Sequence, residues 1–429
     1  MKNLLCVFLL ISFISYSQTK SIKNSPPLTV GQPAEVGMSE ERLSIIDDMI
    51  NESISSNEIP GAVVLVARKG KIVYHKAFGK ADVSANRILK KDDIFRIASQ
   101  TKAITSTAVM MLWEEGKFRM DDPVSKYIPE FENVQVLDSL HEDDLTYTTI
   151  KADKPITIRH LITHTSGIGY GYIDGDERIK KIYKKAGVTD LFTTAPLTIG
   201  ENVKILAKLP LHHHPGEKFT YSEGLDVLGY FIEIISGMPL DDFFKSRIFD
   251  PLDMEDTWFY LPDSKAKRLI PIQSWKDEKW MVYSNPEVYD VDYPVKGAKS
   301  FFSGGAGLSS TAKDYATFLQ MYLNKGELNG IRLLSRTTIQ FMMANQIGDF
   351  WGDSGSYYGL AFGVVSQKGQ NMGGNGSRGT FSWGGYFNTQ YFADPEEEVI
   401  GILMKQMQDV TSDDTGWRFT HLVGQAIDD

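Results

Sequence analysis

The chain has 429 residues, 42% of them hydrophobic, enough for a substantial buried core and, by length, for two or three domains. Lys and Arg number 45 against 55 Asp and Glu, a formal net charge of -10. With no basic run against that balance, the composition argues against general binding to nucleic acid or anionic membrane.

The opening stretch, "MKNLLCVFLLISFISYSQ", has one lysine, an apolar segment from Leu4 to Ile14, and small residues at Ser15 and Ser17. This is the layout of a cleavable secretory signal, placed here at residues 1–17. Its apolar run is well short of the roughly 20 residues that span a bilayer, so no membrane span is expected in the mature chain. Cys6 is the single cysteine and lies inside this signal, which leaves the mature chain without a disulfide, a thiolate nucleophile or a cysteine metal ligand. A periplasmic or secreted protein is expected.

Residues 18–37 are polar and rich in Pro and Gly and read as an extended lead-in. "MSEERLSIIDDMINESI" then opens with a serine cap and carries apolar residues at helical spacing; "GAVVLVARKG" and "KIVYHKAFG" read as two strands joined through "RKGK". "IFRIA" is strand-like and runs into a long apolar helix. From 120 to 299 the texture changes to short helical patterns and loops without strand alternation. After it, "FFSGGAGLSSTAKDYATFLQMYLNKG" starts a set of capped helices, with Ser310 as the cap. Strand candidates "YGLAFGVVSQ", "TFSWGGYFNTQYFA" and "EVIGILMKQ" follow, then a final helix near "GWRFTHLVGQAI". The expected architecture is α+β: an antiparallel sheet flanked by helices and built from both chain ends (38–119 and 300–429), with a mostly helical subdomain inserted at 120–299. A small-molecule site belongs in the cleft between them.

Ser99 and Lys102 lie three apart where "IFRIA" enters its helix, so their side-chain ends can meet on one helical face. A serine hydroxyl is a weak nucleophile and needs a base. A lysine, with a free pKa of about 10.4, can be that base once burial among groups such as Ile97, Ala98, Ala103 and Ile104 disfavours its charge. The spacing alone is weak, because it recurs at Ser17/Lys20, Ser264/Lys267 and Ser310/Lys313. Two further motifs strengthen it. Tyr221-Ser222-Glu223 stands in a loop just before a helix, where a tyrosine can relay a proton. Trp383-Gly384-Gly385 stands on a strand whose glycines let backbone N–H groups approach a substrate oxygen.

With these three motifs in order, the chain resembles the serine β-lactamase and penicillin-binding-protein superfamily, in the branch of class C β-lactamases and family VIII carboxylesterases. "PGAVVLVARKGKIVYHKAFGKADV", "ITIRHLITHTSGI" and "IFDPLDMEDTWF" are similar to that branch as well, so the likeness covers nearly all of the mature chain. The resemblance implies Ser99 as the acylated nucleophile, Lys102 as its activating base and Tyr221 as the partner that carries the proton to the leaving group. It leaves open which of Lys102 and Tyr221 takes the serine proton. It also implies an oxyanion hole from the backbone amides of Ser99 and Tyr386.

The departures bear on substrate. Where lactamases and transpeptidases have Lys-Thr-Gly, this chain has Trp383-Gly384-Gly385, which offers an apolar face and one N–H but no cation for a carboxylate. Glu223 stands where lactamases often have Asn, either adding negative charge near the acyl group or pointing away from it. Arg378 either partly replaces the missing cation or is a surface arginine paired with an acid. His160 and His164, four apart, have a zinc-compatible spacing on a helix but lack the remaining ligands of a metalloprotease motif. His212, His213 and His214 read as a loop leading to Tyr221. The expectation is a serine hydrolase acting on short-chain carboxylic esters, with Glu223, Trp383, Gly384 and Gly385 as substrate contacts and no metal or organic cofactor. A β-lactamase, DD-carboxypeptidase or D-amino-acid amidase on the same machinery, and a catalytically silent binding protein, are the alternatives.

Overall fold

A computed structural model describes residues 19–20, 25–190, 192–283, 289–373, 376–408, 410 and 413–429. The leader assigned to residues 1–17 lies outside these. Ser39 caps the first helix, α1 (Glu40–Ser55), its Oγ accepting the Arg42 N–H at 3.2 Å. Strands β1 (Gly61–Arg68) and β2 (Lys71–Asp82) form the expected hairpin. Its turn needs two left-handed residues, which Lys69 (φ 49°) and Gly70 (φ 77°) supply. Helix α2 (Thr101–Glu114) follows Ser99, and α3 (Gly224–Ser236) follows Glu223. Helix α4 (Ala312–Leu323) is capped by Thr311, which accepts the Asp314 N–H. Ser310, read as the cap from sequence, instead pairs with Phe95 in a two-residue ladder and bonds Thr257 Oγ1 at 2.8 Å.

The remaining strands are β3 (Ser356–Tyr358), β4 (Gly363–Val365), β5 (Phe381–Gly384), β6 (Thr389–Asp394) and β7 (Val399–Met404), and the last helix is α5 (Thr415–Gln425). They join in one sheet of order β3-β4-β5-β6-β7-β1-β2, antiparallel throughout. Thr29–Val30 adds a short parallel edge beside β2, and Val36 packs into the core under α1, so the last part of the lead-in belongs to the folded body. Chain start and chain end meet where β1 lies against β7, Val63 opposite Met404 and Arg68 opposite Val399.

Every residue of β1 is buried. Val63, Leu65 and Ala67 face the core shared with α2, α3 and α4; Ala62, Val64 and Val66 face the one shared with α1 and α5. A strand covered on both faces reads as a continuous apolar run rather than an alternating one, which accounts for "GAVVLVA". Each fully buried Val or Leu there contributes about 1.5–3 kcal/mol.

Helix α2 runs through the middle of the larger core, with all residues from Thr101 to Leu112 buried. It packs against α3, the best-buried helix of the segment between 120 and 299. That segment also carries two hairpins, Gln135–Leu140 with Tyr147–Lys151 and Gln273–Lys276 with Lys279–Val282. Their partly exposed strands lack the apolar alternation that would have announced them. No helix among the described residues is long and apolar enough to cross a membrane.

Candidate active site

Between Ile97 and α2 the backbone makes a tight turn in which Ala98 takes φ 42°, a left-handed conformation that an L side chain rarely adopts. The turn leaves Ser99 partly exposed at the mouth of a cavity of about 280 Å³. One helical turn further, Lys102 is 1% exposed. Its Nζ lies 3.3 Å from Ser99 Oγ, 3.0 Å from Tyr170 Oη and 2.7 Å from Gly305 O. The carbonyl can only accept, so one Lys102 N–H goes to Gly305; the two hydroxyls can take either role.

Gly305 is held in turn by Asp226, whose Oδ1 accepts the Gly305 N–H at 3.2 Å. A Cβ at 305 would come within 2.6 Å of Asp226 Oδ2, so glycine is the residue that fits. Neither Asp226 nor Gly305 was singled out from sequence, and neither was Tyr170. Tyr170 is the more consequential of these, because its hydroxyl, not that of Tyr221, is hydrogen-bonded to Lys102. The signal for it was thin: a tyrosine in "GIGYGY", with no helix or strand around it.

Tyr221 is nonetheless at the site. Its ring is stacked on Tyr170 at 5.6 Å and lies 4.7 Å from Lys102 Nζ. Its Oη accepts the Trp383 Nε1–H at 3.3 Å, and no hydrogen bond joins that Oη to Ser99 or Lys102. His164 backs the Tyr221 ring at 4.6 Å. The structure therefore brings Ser99, Lys102 and Tyr221 together, with Trp383, Gly384, Gly385 and Tyr386 lining the same cavity. Gly385 sits so close to the serine turn that a Cβ there would come within 2.4 Å of Ile97 O.

Burial pushes the Tyr170 phenol far above its ordinary range, and the acidic groups packed around it add to the effect. Tyr170 stays a neutral phenol and serves as a hydrogen-bond partner for Lys102, not as a base.

Glu223 is placed differently from the sequence expectation of a substrate contact. It is 1% exposed and does not line the cavity. It enters α3 as the residue before its first turn, which turns the carboxyl inward. Burial holds it well above the ordinary carboxylate range, Asp190 and Asp226 adding to the effect while the Gly171 N–H and Lys102 oppose it. Arg378 is exposed and lies away from the cavity.

The histidines are structural. The helix that starts at Ile158 ends at Ile162, so His164, at φ 56°, lies beyond it and shares no helical face with His160. His160 Nδ1 accepts the Thr157 N–H in a capping box, and His164 Nδ1 accepts the Ser222 N–H at 3.2 Å. His212 pairs with Asp174 at 2.9 Å, His213 bonds Thr220 Oγ1 at 2.9 Å, and His214 Nδ1 accepts the Asp153 N–H at 3.2 Å. Among the described residues no group of three His, Cys, Asp or Glu side chains is arranged to hold a metal. A larger groove of about 500 Å³ runs along β4, β5 and α5 without reaching Ser99.

Known proteins resemble this chain over most of its length. The protein Rv1367c of Mycobacterium tuberculosis is 33% identical over 374 residues, covering 83% of this chain and 88% of its own. Esterase EstB of Burkholderia gladioli is 29% identical over 363 residues, covering 81% of this chain and 86% of its own. Among solved structures, EstCE1, a hydrolase with promiscuous acyltransferase activity, superposes with a TM-score of 0.75 at 25% identity, covering 91% of this chain and 99% of its own. The Beta-lactamase family matches residues 46–425. With that span matched, the chain belongs to the Beta-lactamase family and is a serine hydrolase by enzyme class.

Proposed function

We propose that this hydrolase forms an acyl-enzyme at Ser99 and transfers the acyl group to water, with short-chain carboxylic esters as substrates. The observation that carries this reading is the buried Lys102 Nζ, 3.3 Å from Ser99 Oγ. With Gly305 O and Tyr170 Oη occupying its two other directions, the nitrogen has one left, toward the serine. Ser99 Oγ attacks the ester carbonyl as its proton passes to Lys102. Tyr221, on the cavity wall, gives its proton to the departing alkoxide, and the leaving oxygen seated between them is the bridge by which the Lys102 proton replaces it, so the net transfer is from Ser99 to the leaving oxygen. The backbone amides of Ser99 and Tyr386 receive the carbonyl oxygen as it becomes negative.

The preference for esters over lactams rests on the cavity wall. Among the described residues no Lys, Arg or His lines it, so a substrate carboxylate finds no partner where Trp383 stands. The esterase activity named for EstB is consistent with this preference. The apolar leader at 1–17 supports export, which N-terminal sequencing of the secreted product would check. For the main claim, Ser99→Ala should reduce p-nitrophenyl butyrate hydrolysis by about a thousandfold or more. A variant that keeps its rate ends the proposal.

A further inference from the structure

Among the described residues, aromatic side chains dominate the wall of the cavity at Ser99, and one carboxylate lines it. Phe192, Tyr289 and Tyr386 form a corner, with ring centroids 5.5 Å apart for Phe192–Tyr289 and 5.9 Å apart for Tyr289–Tyr386, both near edge-to-face. That carboxylate is Asp190. Its Oδ2 accepts the Tyr172 N–H. Its Oδ1 is sealed from solvent and has no hydrogen-bond partner among the described residues. Gly171 makes room for that carboxyl, since a Cβ there would come within 2.6 Å of Oδ2 and 3.0 Å of Oδ1.

An unpaired carboxylate oxygen in a desolvated wall is costly, and the cost falls when a cation arrives. Among the described residues no cation lines the cavity or pairs with Asp190. Lys102 directs its Nζ to Ser99, Tyr170 and Gly305 and forms no ion pair with Asp190. Of the other two acids, Glu223 is buried and does not line the cavity, and Asp226 lies behind Gly305, away from the cavity. Burial also raises Asp190, to about 6, with Asp226 and Asp174 adding and Lys102 opposing, so near neutral pH the wall carries a negative charge that a bound cation would stabilise. Aromatic side chains that share a cavity with a carboxylate are surroundings in which an ammonium group is held.

On the reading that Ser99 is acylated, we propose that the cavity selects acyl groups carrying a positive charge, as in aminoacyl or trimethylammonioacyl esters and amides. Asp190 is the counter-ion, and Phe192, Tyr289 and Tyr386 supply the aromatic faces. Asp190 sets specificity and takes no part in bond making.

The test uses two phenyl esters of one shape, trimethylammonioacetate and tert-butylacetate, which differ in nitrogen against carbon. Each kcat/KM is divided by that ester's uncatalysed hydrolysis rate, which removes the activating effect of the nitrogen. The wild-type enzyme is expected to favour the cationic ester by about tenfold or more. Asp190→Asn, which keeps an acceptor for the Tyr172 N–H, is expected to bring the ratio to about one, whatever it does to either rate alone. A wild-type ratio at or below one, or an unchanged ratio in Asp190→Asn, overturns the proposal. Should that variant fail to fold, inhibition of the wild type decides: choline must inhibit p-nitrophenyl butyrate hydrolysis at a lower concentration than neohexyl alcohol, its uncharged carbon analogue, and equal inhibition overturns the proposal. Hydrolysis of both esters surviving in Ser99→Ala would instead remove the acyl-enzyme reading, independently of the charge preference.

Discussion

Lys102 is enclosed by groups that fix where its lone pair or third proton can point, and Tyr170 is one of them. Its buried hydroxyl accepts from Lys102 at 3.0 Å and has no reason to ionise, so it acts through the lysine as a positioning residue. Tyr170→Phe should lower kcat by about tenfold to a hundredfold through misplacement of the Lys102 amine, with KM little changed. An unchanged kcat would mean that Gly305 alone holds the lysine. Ser99, Lys102 and Tyr221 were legible because they sit in motifs whose spacing means something on a helix or at its start. Tyr170 and Asp190 were not, since both are single residues in irregular loops that only the folded chain brings to the cavity. Glu223 was misplaced for a related reason: sequence located it beside the site but not the direction in which the entry to α3 turns it.

At the scale of elements, the site is a junction between the serine turn and the end of β5. Gly385 follows β5, and its N–H bonds Thr389 O at 2.7 Å while its Cα lies against Ile97 O. Gly385→Ala would put a Cβ 2.4 Å from that carbonyl and 2.2 Å from Thr389 Oγ1, displacing the residue that precedes the amide proposed for the oxyanion hole, Tyr386. The expected result is a fall in kcat/KM of about a hundredfold or more with an unchanged circular dichroism spectrum. A variant with near-normal rates would exclude the Tyr386 amide from the oxyanion hole. The β1–β2 hairpin was readable from its apolar runs and the Lys69-Gly70 turn, whereas "TFSWGGYFNTQYFA", read as one strand candidate, is the two strands β5 and β6 of a hairpin. The hairpins inside residues 120–299 were not readable, because partly exposed strands carry no burial pattern.

For the whole molecule, both chain ends build one sheet around β1, and the site lies where that sheet meets the inserted segment. The continuous apolar runs of β1 and β7 made this closure visible in advance. Buried acids behind the site tie global stability to pH. Glu223 binds its proton more tightly folded than unfolded, where its pKa is about 4.3, so its contribution is complete below that value and is lost as pH rises through the folded value. Glu223→Gln cannot titrate. Its Tm should therefore approach that of the wild type at pH 5 and exceed it by a few degrees at pH 9. A gap that shrinks with rising pH would show the carboxyl to be ionised in the folded protein.

The account depends most on Ser99 being made nucleophilic by the amine beside it. Labelling the folded protein with a fluorophosphonate and mapping the modified peptide tests this directly. The account predicts one adduct, on Ser99, and its loss in Lys102→Met. An adduct on another residue, or labelling of Lys102→Met at the wild-type rate, would contradict it.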